Sequence, residues 1–419
     1  MDIWRIRGGR RLEGTAYVQG SKNASLPILA ASIVCPARTE LTNVPALRDV
    51  DASLAILRSL GCSAVQEGGS VFIDSSLLSG SVIPFDLMKE MRSSVIFLGA
   101  LAARCGEAKL SLPGGCRLGK RPIDLHLDSL RQMGAYIEED NGEIVCKAEE
   151  LKGAEISLSF PSVGATENIM LAACGAKGKT VINGAAREPE ITALQEYLNS
   201  LGAVISGAGT SRIVVEGFSG REYVKYKIIP DRIAASTICC CTAAAGGKVE
   251  LRNVIPEHFF AVSGFLKRSG CDIITESDSL LISSDGVLHS PGRVFTYPYP
   301  GFPTDAQPVL MAALLKAEGE TAITENIFEN RFRQVEELKK LGAKISVNDK
   351  TARITGTDRL FGAVLKATDL RGGASMIVAG LCAEGETVIL DEGHIKRGYD
   401  SFDRCLNSIG ADISLEAEY

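Results

Sequence analysis

The chain has 419 residues, 45% hydrophobic and 23% charged, with a net charge of −6 and 6% aromatics. Such a length exceeds one ordinary core, so two domains or a repetitive architecture are expected. The acidic balance and sparse aromatics argue against a nucleic-acid partner, and no apolar run is long enough to span a membrane. The 12 cysteines have no CxxC pair and the four histidines are scattered. Neither a metal nor another cofactor is therefore expected. The opening MDIWRIRGGRRLEG has no apolar secretory core, so the expectation is a cytoplasmic protein with reduced thiols.

In chain order, residues 1–21 read as strand and are expected to pair with the C-terminal half. From residue 22 the chain repeats itself. Ala-rich segments recur: SLPILAASIVC, SSVIFLGALAARC, TENIMLAACGA, IAASTICCCTAAA, DAQPVLMAALLKA and GASMIVAGLCA. They are apolar nearly all round, which predicts helices buried on every side. A short strand-like run follows each, then an amphipathic helix that ends on glycine. These glycines are Gly61, Gly134, Gly202, Gly270, Gly342 and Gly410, with successive gaps of 73, 68, 68, 72 and 68 residues. So regular a period is internal repetition. The glycine supplies the left-handed residue that ends the helix and starts a strand. Each unit reads as buried helix, strand, outer helix, strand, turn, strand. The charged stretch 221–231 reads as a linker. The expected domains are 22–229, and 1–21 plus 230–419, with a cleft between them.

Polar residues cluster where the buried helices begin: Lys22-Asn23, Arg92-Ser93-Ser94, Ser162-Val163-Gly164, Asp231-Arg232, Thr304-Asp305 and Asp369-Leu370-Arg371. Helix N-termini favour anions. With Lys22, Arg92, Arg121, Arg331, Arg371 and Arg397 they predict a cationic cleft for a ligand carrying phosphate and carboxylate. One more segment stands out, LPGGCRLGKRPIDLHL at 112–127. Its Cys116 lies among glycines and cations, which favour a thiolate. The runs GAGTSR and AKGKT fail as dinucleotide and phosphate loops because each lacks a required glycine.

The six-fold repeat resembles that of the enolpyruvyl transferases. The motifs are similar to the branch of that family acting on UDP-N-acetylglucosamine: GSKNA (20–24), MRSS (91–94), PGGCRLGKRPIDLH (113–126), SVGATEN (162–168), PDR (230–232), GFPTDAQP (301–308), IFENRF (327–332), TDLRGGA (368–374) and HIKRGY (394–399). The resemblance implies an α/β fold of two inside-out barrels, each of three βαβαββ-type repeats with buried helices and outer sheets. It implies transfer of the enolpyruvyl group of phosphoenolpyruvate to the sugar 3′-hydroxyl, the first committed step of peptidoglycan precursor synthesis. It assigns Cys116 as proton donor to C3 of phosphoenolpyruvate and Asp305 as the residue facing the sugar hydroxyl. Lys22, Arg121, Arg371 and Arg397 correspond to binders of phosphate and carboxylate. Asn23 and Arg92 correspond to sugar-nucleotide contacts. The run Arg121, Pro122, Ile123, Asp124 and Leu125 corresponds to the uridine segment, and Ser162, Val163 and Gly164 to the diphosphate site. Ile327 supplies a backbone contact, with Arg331 and Asp369 nearby. The sequence departs from the family at Phe160, where some members have lysine, and at Ala234 and Ser236. Two alternatives stay open: transfer to another alcohol, and a degenerate paralogue that only binds a UDP-sugar.

Overall fold

The computed structural model describes residues 1–111, 123–140 and 142–417. Among these, residues 1–19 and 230–417 make one compact unit, and 20–111, 123–140 and 142–229 make the other. Each is an inside-out barrel with helices within and three sheets outside. The inner helices are α1 (Lys22–Ala31), α2 (Phe97–Cys105) and α3 (Val163–Ala173) in the 20–229 unit. In the other they are α4 (Arg232–Ala245), α5 (Gln307–Ala313) and α6 (Leu370–Leu381). Their sequences explain their place. Every residue of α4 from Arg232 to Ala244 is buried, as is every residue of α6 from Arg371 to Leu381. No helix among the described residues is long and apolar enough to cross a membrane.

In the regular repeat, the strands entering and leaving an inner helix pair in parallel. Glu155–Ser157 pairs with Thr180–Asn183 around α3. Arg293–Phe295 pairs with Glu320–Thr324 around α5, and Val364–Lys366 with Glu386–Asp391 around α6. At α1 and α4 the entering strands are exchanged. Leu12–Tyr17 leads into α1 but pairs with Gly247–Arg252. Tyr223–Lys227 leads into α4 but pairs with Arg38–Thr42. The stretch 221–231, expected as a linker, therefore contains the sheet strand Tyr223–Lys227, with Val224 buried. Lys225 and Lys227 are outward-facing positions of that strand, Arg221 and Glu222 precede it, and Asp231 is the buried cap of α4. Asp2–Arg7 pairs with Glu386–Asp391 on one side and Ile413–Ala417 on the other.

The six periodic glycines do what the repeat requires. Their φ values lie between 92° and 110°, and each N–H donates to the carbonyl three residues back. At Cys62, Ala135, Cys271 and Ala411 the next N–H reaches back five residues, which closes a Schellman turn. An L side chain at such a φ is strained by about 1–2 kcal/mol. A Cβ on Gly342, at φ +95°, would meet only Arg359 O at 3.9 Å, an ordinary contact, so strain alone decides its substitution. Gly264, inside the outer helix Phe260–Arg268, is open and has no positive φ. Gly342→Ala is expected to destabilise the protein by about 1–2 kcal/mol, and Gly264→Ala to stabilise it by up to about 1 kcal/mol. Urea unfolding midpoints shifting in opposite directions would verify both.

Candidate functional site

The helix starts singled out in the sequence are the polar ends of otherwise apolar helices. In the 20–229 unit, Lys22 follows the cap residue Ser21, whose hydroxyl accepts from Ala24 N at 3.2 Å. The Lys22 ammonium is nearly buried, 2.7 Å from a carboxylate oxygen of Asp49 that is 2% exposed. Two charges so far from water are tolerable only as a pair, so Asp49 fixes where the Lys22 charge sits. Asn23 beside it is half-buried. Arg92 opens the 3-10 turn Arg92–Ile96 that leads into α2; its side chain lies outside the described set. Cys116, Arg121 and Pro122 also lie outside the described residues.

The start of α3 is built on a second neutral cap. Ser162 Oγ accepts from Ala165 N at 3.3 Å. The N–H groups of Val163 and Gly164 belong to the first turn, which has no intrahelical acceptors. Packed on this turn is His126, from the helix Asp124–Gln132. A Cβ on Gly164 would stand 2.9 Å from His126 Cε1 and 3.2 Å from Nε2, so glycine is what admits the ring. Asn168, buried in α3, fixes its orientation. The Asn168 Oδ1 accepts from Gly99 N at 2.7 Å, so Nδ2 must face His126 Nδ1, also at 2.7 Å, and Val95 O at 3.0 Å. Nδ1 therefore accepts, and the proton of the neutral ring sits on Nε2, beside Gly164. Burial pushes the His126 pKa down to about 4, so the ring is a neutral donor at pH 7. Ile123 caps this helix, Asp124 is exposed in its first turn and Leu125 is half-buried. Neither His126 nor Asn168 stood out in the sequence, although both lie inside quoted motifs; a lone histidine and asparagine give no spacing signal.

In the other unit the caps are carboxylates. Asp231 Oδ1 accepts from Ile233 and Ala234 N. Asp369 Oδ1 accepts from Arg371 and Gly372 N at 3.0 and 3.1 Å. These ends carry negative charge of their own, so the expectation that every helix start favours an anion holds less well for α4 and α6. Here the positive charge comes from arginine. Asp305 lies in the 3-10 turn Thr304–Ala306 that leads into α5. Its Oδ1 accepts from Arg331 Nη2 at 2.7 Å and its Oδ2 from Arg371 Nη2 at 3.2 Å. Arg331 and Arg371 are almost fully buried, while Asp305 keeps 30% of its side chain exposed. Arg371 Nη1 also donates to the Tyr399 hydroxyl at 3.2 Å, which meets Thr237 Oγ1 at 2.9 Å. Burial opposes the Arg371 charge, but Asp305 and Tyr399 outweigh it and hold its pKa above the ordinary value. Ile327 is half-buried, with its N–H donated to Glu325. Arg397 ends the 3-10 turn Ile395–Arg397 and is half-buried. The structure thus brings Asp305, Arg331 and Arg371 into direct contact.

Residues 6–406 match the family described as EPSP synthase (3-phosphoshikimate 1-carboxyvinyltransferase). The chain belongs to this family. Among its relatives, UDP-N-acetylglucosamine 1-carboxyvinyltransferase 2 of Caldanaerobacter subterraneus subsp. tengcongensis is 47% identical over 413 residues, covering 99% of both chains. The UDP-N-acetylglucosamine 1-carboxyvinyltransferase of Myxococcus xanthus is 43% identical, covering 99% of this chain and all of the relative. Of solved structures, the enolpyruvyl transferase NikO from Streptomyces tendae superposes with a TM-score of 0.89 at 26% identity, covering 99% of this chain and 98% of its own. An EPSP synthase from Acinetobacter baumannii shares the fold, with a TM-score of 0.76 at 21% identity over the full length of both chains.

The departures from the family pattern now have a setting. Phe160 is 44% exposed, so it offers an apolar surface and no cation there. Ala234 and Ser236 are buried within α4, where Ser236 Oγ donates to Arg232 O at 2.7 Å and satisfies itself inside the helix. All eleven described cysteines are free thiols. Burial is the main cause that pushes each of their pKa values up.

His126 makes stability depend on pH. An unfolded histidine takes its proton near 6.5, the folded one only near 4. Between those values the unfolded chain binds more protons. The contribution is therefore whole above pH 6.5 and lost as pH falls towards 4, by roughly 3 kcal/mol. Urea midpoints measured from pH 7.5 to 4 should show this loss, and His126→Gln should flatten it.

Proposed function

We propose that the chain transfers the carboxyvinyl group of phosphoenolpyruvate to the 3′-hydroxyl of UDP-N-acetylglucosamine and releases phosphate, as the first committed step of peptidoglycan precursor synthesis in the cytoplasm. The observation that carries this reading is Asp305 held between Arg331 and Arg371, in a chain similar over its full length to relatives bearing that activity in their names.

The alkene of phosphoenolpyruvate is a poor electrophile until C3 gains a proton. Cys116 donates that proton, which makes C3 a methyl group and C2 electrophilic. The sugar oxygen then bonds to C2 as Asp305 takes the hydroxyl proton, a step that needs a base within hydrogen-bond reach. The product is a tetrahedral ketal that still carries the phosphate. Loss of a C3 proton restores the double bond and breaks the C2–O bond to phosphate. Lys22, Arg121, Arg371 and Arg397 balance the charge of carboxylate and phosphate as these bonds change. Asn23, Arg92, the run Arg121–Leu125, the α3 start at Ser162–Gly164 and the Ile327 backbone hold the sugar nucleotide. In this reading the partly exposed Asp305 is oriented by two buried guanidiniums, which fixes its oxygens without a moving part. Asp369 serves this set as the cap that positions Arg371.

Phosphate release from phosphoenolpyruvate should require UDP-N-acetylglucosamine. Release that other acceptor alcohols support equally would redirect the acceptor assignment, and binding without release would leave a sugar-nucleotide binder. Asp305→Asn should lower turnover about 10²–10⁴-fold. A phosphonate epoxide that mimics phosphoenolpyruvate should alkylate Cys116 ahead of the eleven buried or raised-pKa thiols, and faster with the sugar nucleotide present. Peptide mass spectrometry locates the adduct.

A further inference from the structure

Glu325 is a carboxylate that the reaction above does not use, yet it is 2% exposed. It directly follows the strand Glu320–Thr324. Its Oε1 accepts from Thr296 Oγ1 at 2.9 Å, Ile327 N at 2.8 Å and Phe328 N at 3.1 Å. Its Oε2 accepts from Thr304 Oγ1 at 2.9 Å. Four donors thus converge on one buried charge, and among the described residues no salt bridge reaches it. Such a group is costly unless every partner is in place.

Its partners lead to two places. Ile327 and Phe328 form the turn after the strand, and Thr304 opens the turn that carries Asp305. The Thr304 carbonyl in turn accepts from Arg331 Nε and Nη2, both at 3.3 Å, and Arg331 holds Asp305. One carboxylate therefore sets the Ile327 backbone and the Asp305 turn against each other. The fold does not demand a charge here. At the equivalent strand ends of two other repeats, Asn43 and Asn253 tie the chain by donating to the carbonyls of Ile228 and Val18. A buried carboxylate recurs in the sixth repeat, where Asp391 accepts from His394 and Ile395 N ahead of Arg397. Carboxylates thus end the strands in the two repeats whose following turns carry Ile327, Arg331 and Arg397.

We propose that Glu325 is a positioning residue for the acceptor: it holds the Ile327 backbone and Asp305 at the spacing the sugar nucleotide needs. This rests on the carboxyvinyl-transfer reading. Wild-type phosphate release with and without UDP-N-acetylglucosamine tests that reading first and separately. Given turnover, Glu325→Gln is the informative variant. Its amide oxygen can still accept from Ile327 and Phe328, but its NH₂ can only donate to the Thr304 hydroxyl, which reverses that hydrogen bond and removes its charge. We expect kcat to fall about 10- to 100-fold, as for a small displacement of a reacting group. KM for UDP-N-acetylglucosamine should rise several-fold, with KM for phosphoenolpyruvate changed less than about twofold. Thr304→Val should give the same split, and the double variant should cost little more than either single one, because both act on the one Glu325–Thr304 contact. Wild-type kinetics in a folded Glu325→Gln protein would overturn the proposal. So would equal rises in both KM values alongside a lowered melting temperature, or fully additive losses in the double variant.

Discussion

An inner helix with apolar residues all round has only its ends to offer to solvent or ligand. This is the constraint from which the rest of the architecture follows. The first N–H groups of each such helix need acceptors, and the cap residue decides what else that end can do. Ser21 and Ser162 close α1 and α3 with neutral oxygens, which leaves the helix dipole free to favour an anion. Asp231 and Asp369 close α4 and α6 with carboxylates, which cancel it. The positive charge of the second set is then supplied by Arg331 and Arg371. One repeat, used six times, has thus produced two electrostatic kinds of helix start.

Charge taken out of water has to be paired, and that requirement orients the side chains that matter. Lys22 faces Asp49, while Arg331 and Arg371 face Asp305. Beyond Arg371 lie Tyr399 and Thr237, so its guanidinium is held at both ends. None of these pairs is an argument for large net stability, because desolvation offsets much of the attraction. Their effect is on geometry. Groups fixed before any substrate arrives need no reorganisation as charge develops, and for carboxyvinyl transfer that means charge on a carboxylate, a phosphate and a departing oxygen.

The repeat was legible because it is written in residues with one physical use. A glycine at positive φ after an amphipathic helix, every 68–73 residues, can hardly serve another purpose. The helix starts were legible as polar clusters, but not their division of labour. Ser162 and Asp369 look alike in sequence as caps or as ligand contacts, and only the bonds to Ala165, Arg371 and Gly372 separate the cap role. The pairing of residues 1–21 with the C-terminal half was legible, but the exchange of Tyr223–Lys227 into the sheet of Arg38–Thr42 left no local trace. A strand at a sheet edge carries charges on its outward positions, and KYK in that stretch reads equally well as a solvated linker. Asn168, His126 and Glu325 were invisible for a different reason: their importance lies in contacts 42, 73 or 21 residues away in sequence, which periodicity does not report.

The cysteine content makes sense in the same terms. Cys239, Cys240 and Cys241 occupy fully buried positions in α4, where a thiol packs as a small apolar group. Burial raises their pKa, so the thiolate, which is the nucleophile, is disfavoured. Even Cys105, the exposed member of the described set, is raised. The repeats can therefore carry many cysteines without carrying reactive ones. A thiol that must exchange a proton has to be placed elsewhere, among cations and away from apolar packing. In sequence, Cys116 between Gly115 and Arg117, with Lys120 and Arg121 close by, is the position in this chain that meets that condition.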